Sequence, residues 1–210
     1  MSASAELAEA GGPSAVTVRA AARTVGVTAT AAYRHFANHD ELLAAVRERA
    51  QQSLFDALSG AMAAVPIQDE PVAMAIARLY TAGRGYIEFA ERERGLFRTA
   101  FCHNDVGLDE KHEDPIFDLI SVALDGLVAV GFMDQRQRAD AEFAAWSAVH
   151  GLASLIVDGP LAAADNDERE RAIHGTIATV LRGFATGPDA EPYRSSDPHV
   201  NGEPLHDLTR

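Results

Sequence analysis

Apolar residues along this 210-residue chain recur at i, i+3 and i+4 almost throughout, and no run alternates apolar with polar for long enough to make a strand. Such a chain buries its apolar side chains by packing helix on helix, so the sequence predicts an all-α protein. Glycine, proline and capping residues cut the pattern into pieces. Residues 4–10 make a short first segment, ended by Gly11-Gly12-Pro13. Thr17 can cap a helix over about 18–24 whose Val18, Ala21, Ala22 and Val25 share a face. Gly26 breaks it, and Thr28 can cap the next, over about 29–35. Asn38 stands three before Glu41, a capping-box spacing, and opens a long helix carrying Leu42, Val46, Ala50, Leu54, Leu58 and Met62 at steps of four until Pro66.

Val72, Ile76, Leu79, Tyr80, Gly83, Ile87 and Ala90 line another helix, in which Gly83 and Gly85 permit a kink or close packing. Leu96, Phe97, Ala100 and Phe101 form a short apolar piece, and the polar stretch 102–113 is expected to be a loop. Asp114-Pro115 opens a helix with Phe117, Ile120, Leu124, Leu127 and Val128 that runs to Gly131. Asp134 starts the next, whose second half is apolar nearly all round until Gly159-Pro160. Asp167 with Glu170 is expected to cap a last helix striped by Ile173, Ile177, Val180, Leu181 and Phe184. Residues 186–210, rich in proline and poor in large apolar residues, are expected to be a disordered tail.

Charge narrows the function. With 31 Asp and Glu against 18 Lys and Arg, the net charge is −13, which argues against a protein that coats nucleic acid non-specifically but leaves room for a small local DNA surface. The charge is also uneven. Residues 1–50 hold Arg19, Arg23, Arg34, Arg47 and Arg49 against Glu6, Glu9, Asp40, Glu41 and Glu48, so the whole acidic excess falls on residues 51–210. A single cysteine, Cys102, excludes an intramolecular disulfide. The N-terminus lacks the charged start and apolar block of a signal peptide, and charges interrupt every stretch approaching the ~20 apolar residues of a membrane span. The expectation is a cytoplasmic protein outside the membrane.

The segment from Val16 through Thr17, Gly26 and Thr28 to Tyr33-Arg34-His35-Phe36 and Asp40-Glu41-Leu42-Leu43 resembles the helix-turn-helix of the TetR family of bacterial repressors, over about residues 14–47. Trp146-Ser147-Ala148-Val149-His150-Gly151 is similar to the Trp-x-x-x-His-Gly signature of one TetR-like ligand-binding class. The resemblance implies an N-terminal three-helix head at 1–47 that binds DNA, and a C-terminal helical bundle at 48–185 that binds a ligand and dimerises, ahead of the tail at 186–210.

In such a head a short helix offered by a tight turn lies in the major groove. Thr17 and Thr28 would bring hydroxyls and helix-terminal N–H groups to phosphates, joined by Arg19, while Tyr33 and His35 can hydrogen-bond the DNA backbone. Base readout falls to Ala29, Thr30 and Arg34, the arginine facing guanine and the methyl-bearing groups facing thymine. His39 stands where the family commonly has lysine, replacing a permanent cation. That replacement, the neutral head and the short acidic start motivate an alternative: a helical small-molecule-binding protein that has lost strong DNA binding.

Farther along, Trp146 and His150 lie i, i+4 and can meet. They make either a packed aromatic over a hydrogen-bonded core histidine, with Gly151 allowing close helix approach, or a pocket wall with His150 as polar handle. Tyr86, Phe97, Phe101 and Phe117 are likewise core or pocket. Cys102, His103, Asp105, Asp109, Glu110, His112 and Glu113 fit no compact zinc spacing, so no metal and no cofactor are expected. Ser147, His150 and Asp158 come without a nucleophile turn or oxyanion loop, so no catalytic residues are assigned. Ala141, Ala145, Ala148 and Gly151 on one helix, with Ile173, Ile177 and Phe184 on the last, suit a two-fold four-helix bundle. The expectation is a homodimeric transcriptional repressor on near-palindromic double-stranded operator DNA, released by a small, largely apolar effector.

Overall fold

The computed structural model describes residues 2–102 and 115–191. Among them are nine α-helices and no strand: α1 Ser2–Gly11, α2 Val18–Thr24, α3 Ala29–Ala32, α4 His39–Ala63, α5 Pro71–Arg92, α6 Arg94–Ala100, α7 Pro115–Ala129, α8 Arg138–Val157 and α9 Asn166–Phe184. The chain divides into two compact units, 1–56 with 89–112 and 57–88 with 113–210, so the division falls inside α4 and α5. A linear split near residue 47 is therefore incomplete. Residues 89–102, expected in the body, belong with the head. The expected loop at 103–113 and the tail from 192 onward lie outside the described residues.

In the first unit, Ala8, Val16, Val18, Leu42, Leu43 and Val46 form one buried cluster, against which Phe36, Leu96 and Cys102 pack. The caps expected here are made. Thr17 Oγ1 accepts the Ala20 N–H at 3.1 Å and Thr28 Oγ1 the Ala31 N–H at 3.2 Å. Asn38 Oδ1 accepts from Glu41 N–H at 2.8 Å while the Glu41 carboxylate reaches back to the Ala37 N–H at 2.6 Å. Gly26, at φ +72°, makes the left-handed turn that a Cβ would strain.

Two expectations fail in this unit. The second helix of the pair is four residues long rather than seven, because Arg34 and His35 donate to Ala31 and Ala32, three residues back, and tighten the exit into a turn. Val25 is not on the buried face; it is 55% exposed. The unit also holds a junction that helical periodicity does not announce: α6 packs on α1. Gly95 is buried there, where a Cβ would overlap the Ala8 carbonyl oxygen and stand 2.5 Å from Glu9 Cα. The Glu9 carboxylate accepts the Leu96 N–H at 3.1 Å, serving a helix start whose own N-cap, Glu93, makes no side-chain cap bond.

The second unit is built from α5, α7, α8 and α9 with the last part of α4. α5 runs unbroken through Gly83 and Gly85, which admit neighbours, Val149 and Ile177 beside the first and Leu58 beside the second. Along one seam Tyr80 meets His174 Nδ1 at 3.1 Å, and Arg84 holds Glu170 through two bonds of 2.8 and 3.0 Å. The last helix is capped by Asp165, which accepts from Glu168 N–H at 2.8 Å, two residues earlier than expected. Glu170 is thereby left for the arginine.

The expected disorder from residue 186 is corrected at its start. Gly187 N–H donates to Phe132 O at 2.9 Å, Asp189 N–H donates to Gly131 O at 3.1 Å, and Ala190 is fully buried. Three backbone and side-chain anchors within a few residues offset the ordering entropy that composition alone counts against this segment.

Candidate nucleic-acid interface and ligand cavity

On the first unit, α2, the turn after it and α3 border an open groove of about 780 Å³. Thr17, Arg19, Ala29, Tyr33 and His39, all expected to meet DNA, line it together with Ser14, Arg23 and Val27. The groove thus gathers two arginines, three hydroxyl side chains and an imidazole, a surface suited to phosphate oxygens. Tyr33 is 47% exposed although it is a large aromatic, so its ring is presented rather than packed.

Thr28, Thr30 and Arg34 are exposed but do not line the groove; Thr30 and Arg34 are four apart, on one side of the exit turn. His35 is separated from the set. It borders a cleft with Ser4, Val25, Phe36 and Leu42, between α1 and the helix pair. Arg23 was legible and overlooked: it lies four after Arg19 on a capped helix, hence on the same face. Ser14 had no such signal, since the short 3-10 turn Pro13–Ala15 places it.

In the second unit the four expected pocket residues that fall there form a chain of rings. Tyr86 Oη lies 2.8 Å from His150 Nδ1, the His150 and Trp146 rings are 5.1 Å apart, and Trp146 is 5.3 Å from Phe117. Phe117 meets Phe143 edge-on at 6.0 Å. Burial holds the His150 pKa below the ordinary imidazole value, so its neutral form is favoured. Phe97 and Phe101 are not part of this chain: they belong to the first unit, where their rings pair at 5.3 Å.

An apolar cavity of about 30 Å³ lies between α5, α7, α8 and α9. Of the expected ligand residues only Tyr86 reaches it. The remaining wall is Leu58, Leu79, Ala82, Gly83, Leu119, Ile120, Ala145, Val149, Ile177, Val180 and Leu181. Aromatic residues drew attention because they stand out in a sequence. The cavity is built from aliphatic residues whose periodicity matches that of a filled core, and only the side-chain-free Gly83 on an otherwise apolar helix face hinted at space.

Several other expectations shift. Gly151 does not admit a neighbouring helix, since a Cβ there would meet nothing within 4 Å. Ala141, Ala145, Ile173, Ile177 and Phe184 are buried within the chain's own second unit and are not available to a partner. The exposed side of α8 instead carries Phe143, Ser147, Gly151 and Leu155 at steps of four, with Phe143 64% and Leu155 45% exposed. Cys102 packs against the head core, donates to the Thr99 carbonyl oxygen at 3.1 Å, and has its thiol pKa raised by burial. Among the described residues no three His, Cys, Asp or Glu side chains converge as metal donors, and no helix is long and apolar enough to cross a membrane.

Comparison with known proteins bears on both units. Residues 1–46 match the family model for bacterial regulatory proteins of the tetR family, and residues 79–180 match that for the tetracyclin repressor-like C-terminal domain. A solved protein of unknown function from Rhodococcus sp. RHA1 superposes with a TM-score of 0.65 at 22% identity, covering 87% of this chain and 92% of that one. The crystal structure of a protein designated regulatory, SCO4313, superposes at 0.57 and 20% identity, covering 85% and 91%. At these identities the likeness is one of fold. No curated protein matches the chain.

Proposed function

The chain belongs to the TetR family of bacterial transcriptional regulators, and from that premise we propose that it is a homodimeric, ligand-responsive DNA-binding repressor released by a small, largely apolar effector. One observation carries the DNA-binding half: five residues expected to meet DNA line a single open groove. Thr17, Arg19, Tyr33 and His39 would position the head on phosphates, while Ala29, Thr30 and Arg34 read base edges. Thr28 acts mainly as the cap that starts α3, and His35 is a contact at the margin.

The exposed sides of the last two helices supply the proposed dimer surface. The surface would use Phe143, Gly151 and Leu155 of α8 with Gly175, Thr179 and Gly183 of α9, and none of the three glycines has a neighbour within 4 Å of its Cβ position. Two copies joined there would form the four-helix bundle expected of the family and hold two heads for half-sites about 34–36 Å apart. The effector acts by population shift. It favours a state in which the heads mismatch that spacing, and by linkage DNA weakens effector binding to the same degree. Helices α4 and α5 each pass through both units, giving a continuous backbone path for the coupling. No catalytic role is proposed for Ser147, which is exposed, or for His150, whose Nδ1 is engaged by Tyr86.

The test is binding of the purified protein to DNA from upstream of its own gene, at two salt concentrations, with scrambled DNA as control. Specific binding that weakens with salt, lost in the Tyr33→Phe, Arg34→Ala double variant with dimerisation intact, is expected. The neutral head favours a second reading, a ligand-binding protein without strong DNA binding. No preference over scrambled DNA would decide for it.

A further inference from the structure

The walls of the second-unit cavity define what can occupy it more narrowly than apolarity does. Leu58, Ile120, Val149, Ile177 and Leu181 are among its walls, and Tyr86 is the one wall side chain bearing a polar atom. The charged and polar groups nearest in the sequence to its α5 wall are already committed. Arg84 holds Glu170 in a bidentate pair and Glu88 at 2.7 Å, Tyr80 is bonded to His174, and the Tyr86 hydroxyl to His150. Hydrogen bonding and mutual charge keep the Arg84 guanidinium pKa raised and the Glu170 carboxyl pKa lowered, so both are ionised and committed to each other.

We propose that this cavity takes an uncharged, hydrocarbon-like molecule and rejects carboxylates and ammonium ions of the same shape, an inference that rests on the reading of the second unit as ligand-binding. An anion entering among aliphatic walls would find no cation to pair with, and a cation no carboxylate. Each would have to shed its charge to enter. An ordinary carboxyl titrating near 4.3 is neutral in roughly one molecule in a thousand at pH 7.5, and an alkyl amine near 10.4 is neutral to about the same extent. Discrimination of about a thousandfold against either ion follows.

Entry requires the cavity to open. At about 30 Å³ it holds little more than one water, so the ligand must part α5 from α8 and α9. The seam for this is at Gly83, which has no side chain to displace; a Cβ there would stand 3.3 Å from Val149 Cγ1 and 3.3 Å from Ile177 Cδ1. Both neighbours are side-chain methyls rather than backbone, and they yield by rotation.

Cyclohexane, cyclohexanecarboxylate and cyclohexylammonium share one shape and differ in charge. Their binding to the full chain is followed by carbon-13 methyl spectra, reading the Leu58, Ile120, Ile177 and Leu181 resonances at pH 7.5. Cyclohexane is expected to shift these methyls, with both ions weaker by thirtyfold or more and the carboxylate gaining about tenfold when the pH is lowered to 6.5. Gly83→Ala, checked for an unchanged fold by its spectrum, should weaken cyclohexane at least fivefold. An ion within thirtyfold of cyclohexane at these methyls, no methyl shift at cyclohexane saturation, or an unchanged affinity in Gly83→Ala overturns the proposal. None of these readings involves DNA. Loss of operator binding with this pattern intact would count against the repressor alone, and the reverse against the cavity alone.

Discussion

Replacing Gly95 by alanine should separate α1 from α6. The added methyl would overlap the Ala8 carbonyl oxygen and approach Glu9 Cα and O to 2.5 Å, and these are backbone atoms of a helix rather than the ends of flexible side chains. Rotation cannot relieve such a clash; α1 must retreat. Overpacking of a tight site costs about 1–3 kcal/mol. Retreat also stretches the 3.1 Å bond from Leu96 N–H to the Glu9 carboxylate, and hydrogen bonds to charged groups contribute about 1.5–3 kcal/mol. Because one movement causes both losses, about 3–4 kcal/mol is expected for the pair. Amide exchange reads this locally: protection along α1 should fall by two to three orders of magnitude, at about 1.4 kcal/mol per tenfold, while protection along α8 and α9 changes little. Glu9→Gln, which keeps an acceptor but removes its charge, should lose about 1 kcal/mol by the same assay. If Gly95→Ala leaves α1 protection within threefold of the parent, the close approach of the two backbones is wrong.

Acid should weaken the second unit through His150. Its folded pKa lies below the ordinary value near 6.5, so between those two values the unfolded chain binds more protons and stability rises with pH; the penalty begins as pH falls through about 6.5 and is complete below the folded value. Comparing urea midpoints at pH 7.5 and 5.5, His150→Gln should lose less on acidification than the parent, and an equal loss would refute the assignment. Glu170 has the same sign of dependence in a lower pH window, since its lowered pKa gives stability that is present above about 4.5 and lost as pH falls through the folded value. Both partners are partly exposed, so Arg84→Met should remove less than about 1 kcal/mol and flatten the acid side of the stability curve below pH 4.5. Thr28→Ala should cost the first unit about 1 kcal/mol through the lost cap on Ala31 N–H, measured by amide exchange along α2 and α3, whereas Thr30→Ala, with no capping role, should cost less than half of that.

The Thr17, Thr28 and Asn38–Glu41 caps and the left-handed Gly26 were legible in the sequence because each depends on atoms within four residues. So were the all-α class and the placing of Thr17, Arg19, Ala29, Tyr33 and His39 along one groove of the head, since caps and a tight turn fix which side chains a short helix pair presents. Where local signals competed, the sequence was ambiguous. Asp167-x-x-Glu170 has the spacing of a capping box, yet Asp165 makes the cap and Glu170 pairs with Arg84, eighty-six residues away in the chain. The same limit governed the ends of α3, whose exit tightens into bonds three residues long.

Helical periodicity states that a face is apolar and leaves open what covers it. Ile173, Ile177 and Phe184 fit a partner's helix as well as their own chain's, and only the packed unit shows them buried within it. Phe97 and Phe101 had the composition of pocket residues and fell to the first unit, because Gly95 lets α6 lie against α1. The aliphatic cavity beside Gly83 carried no distinguishing letter at all. What the sequence by itself determined was the class of structure, the breaks between helices and the chemistry of the head, all set by hydrogen bonds and turns over a few residues. The tertiary structure decided which apolar face met which, and hence where space was left, because burial is non-directional and is satisfied equally by any complementary surface until shape selects one.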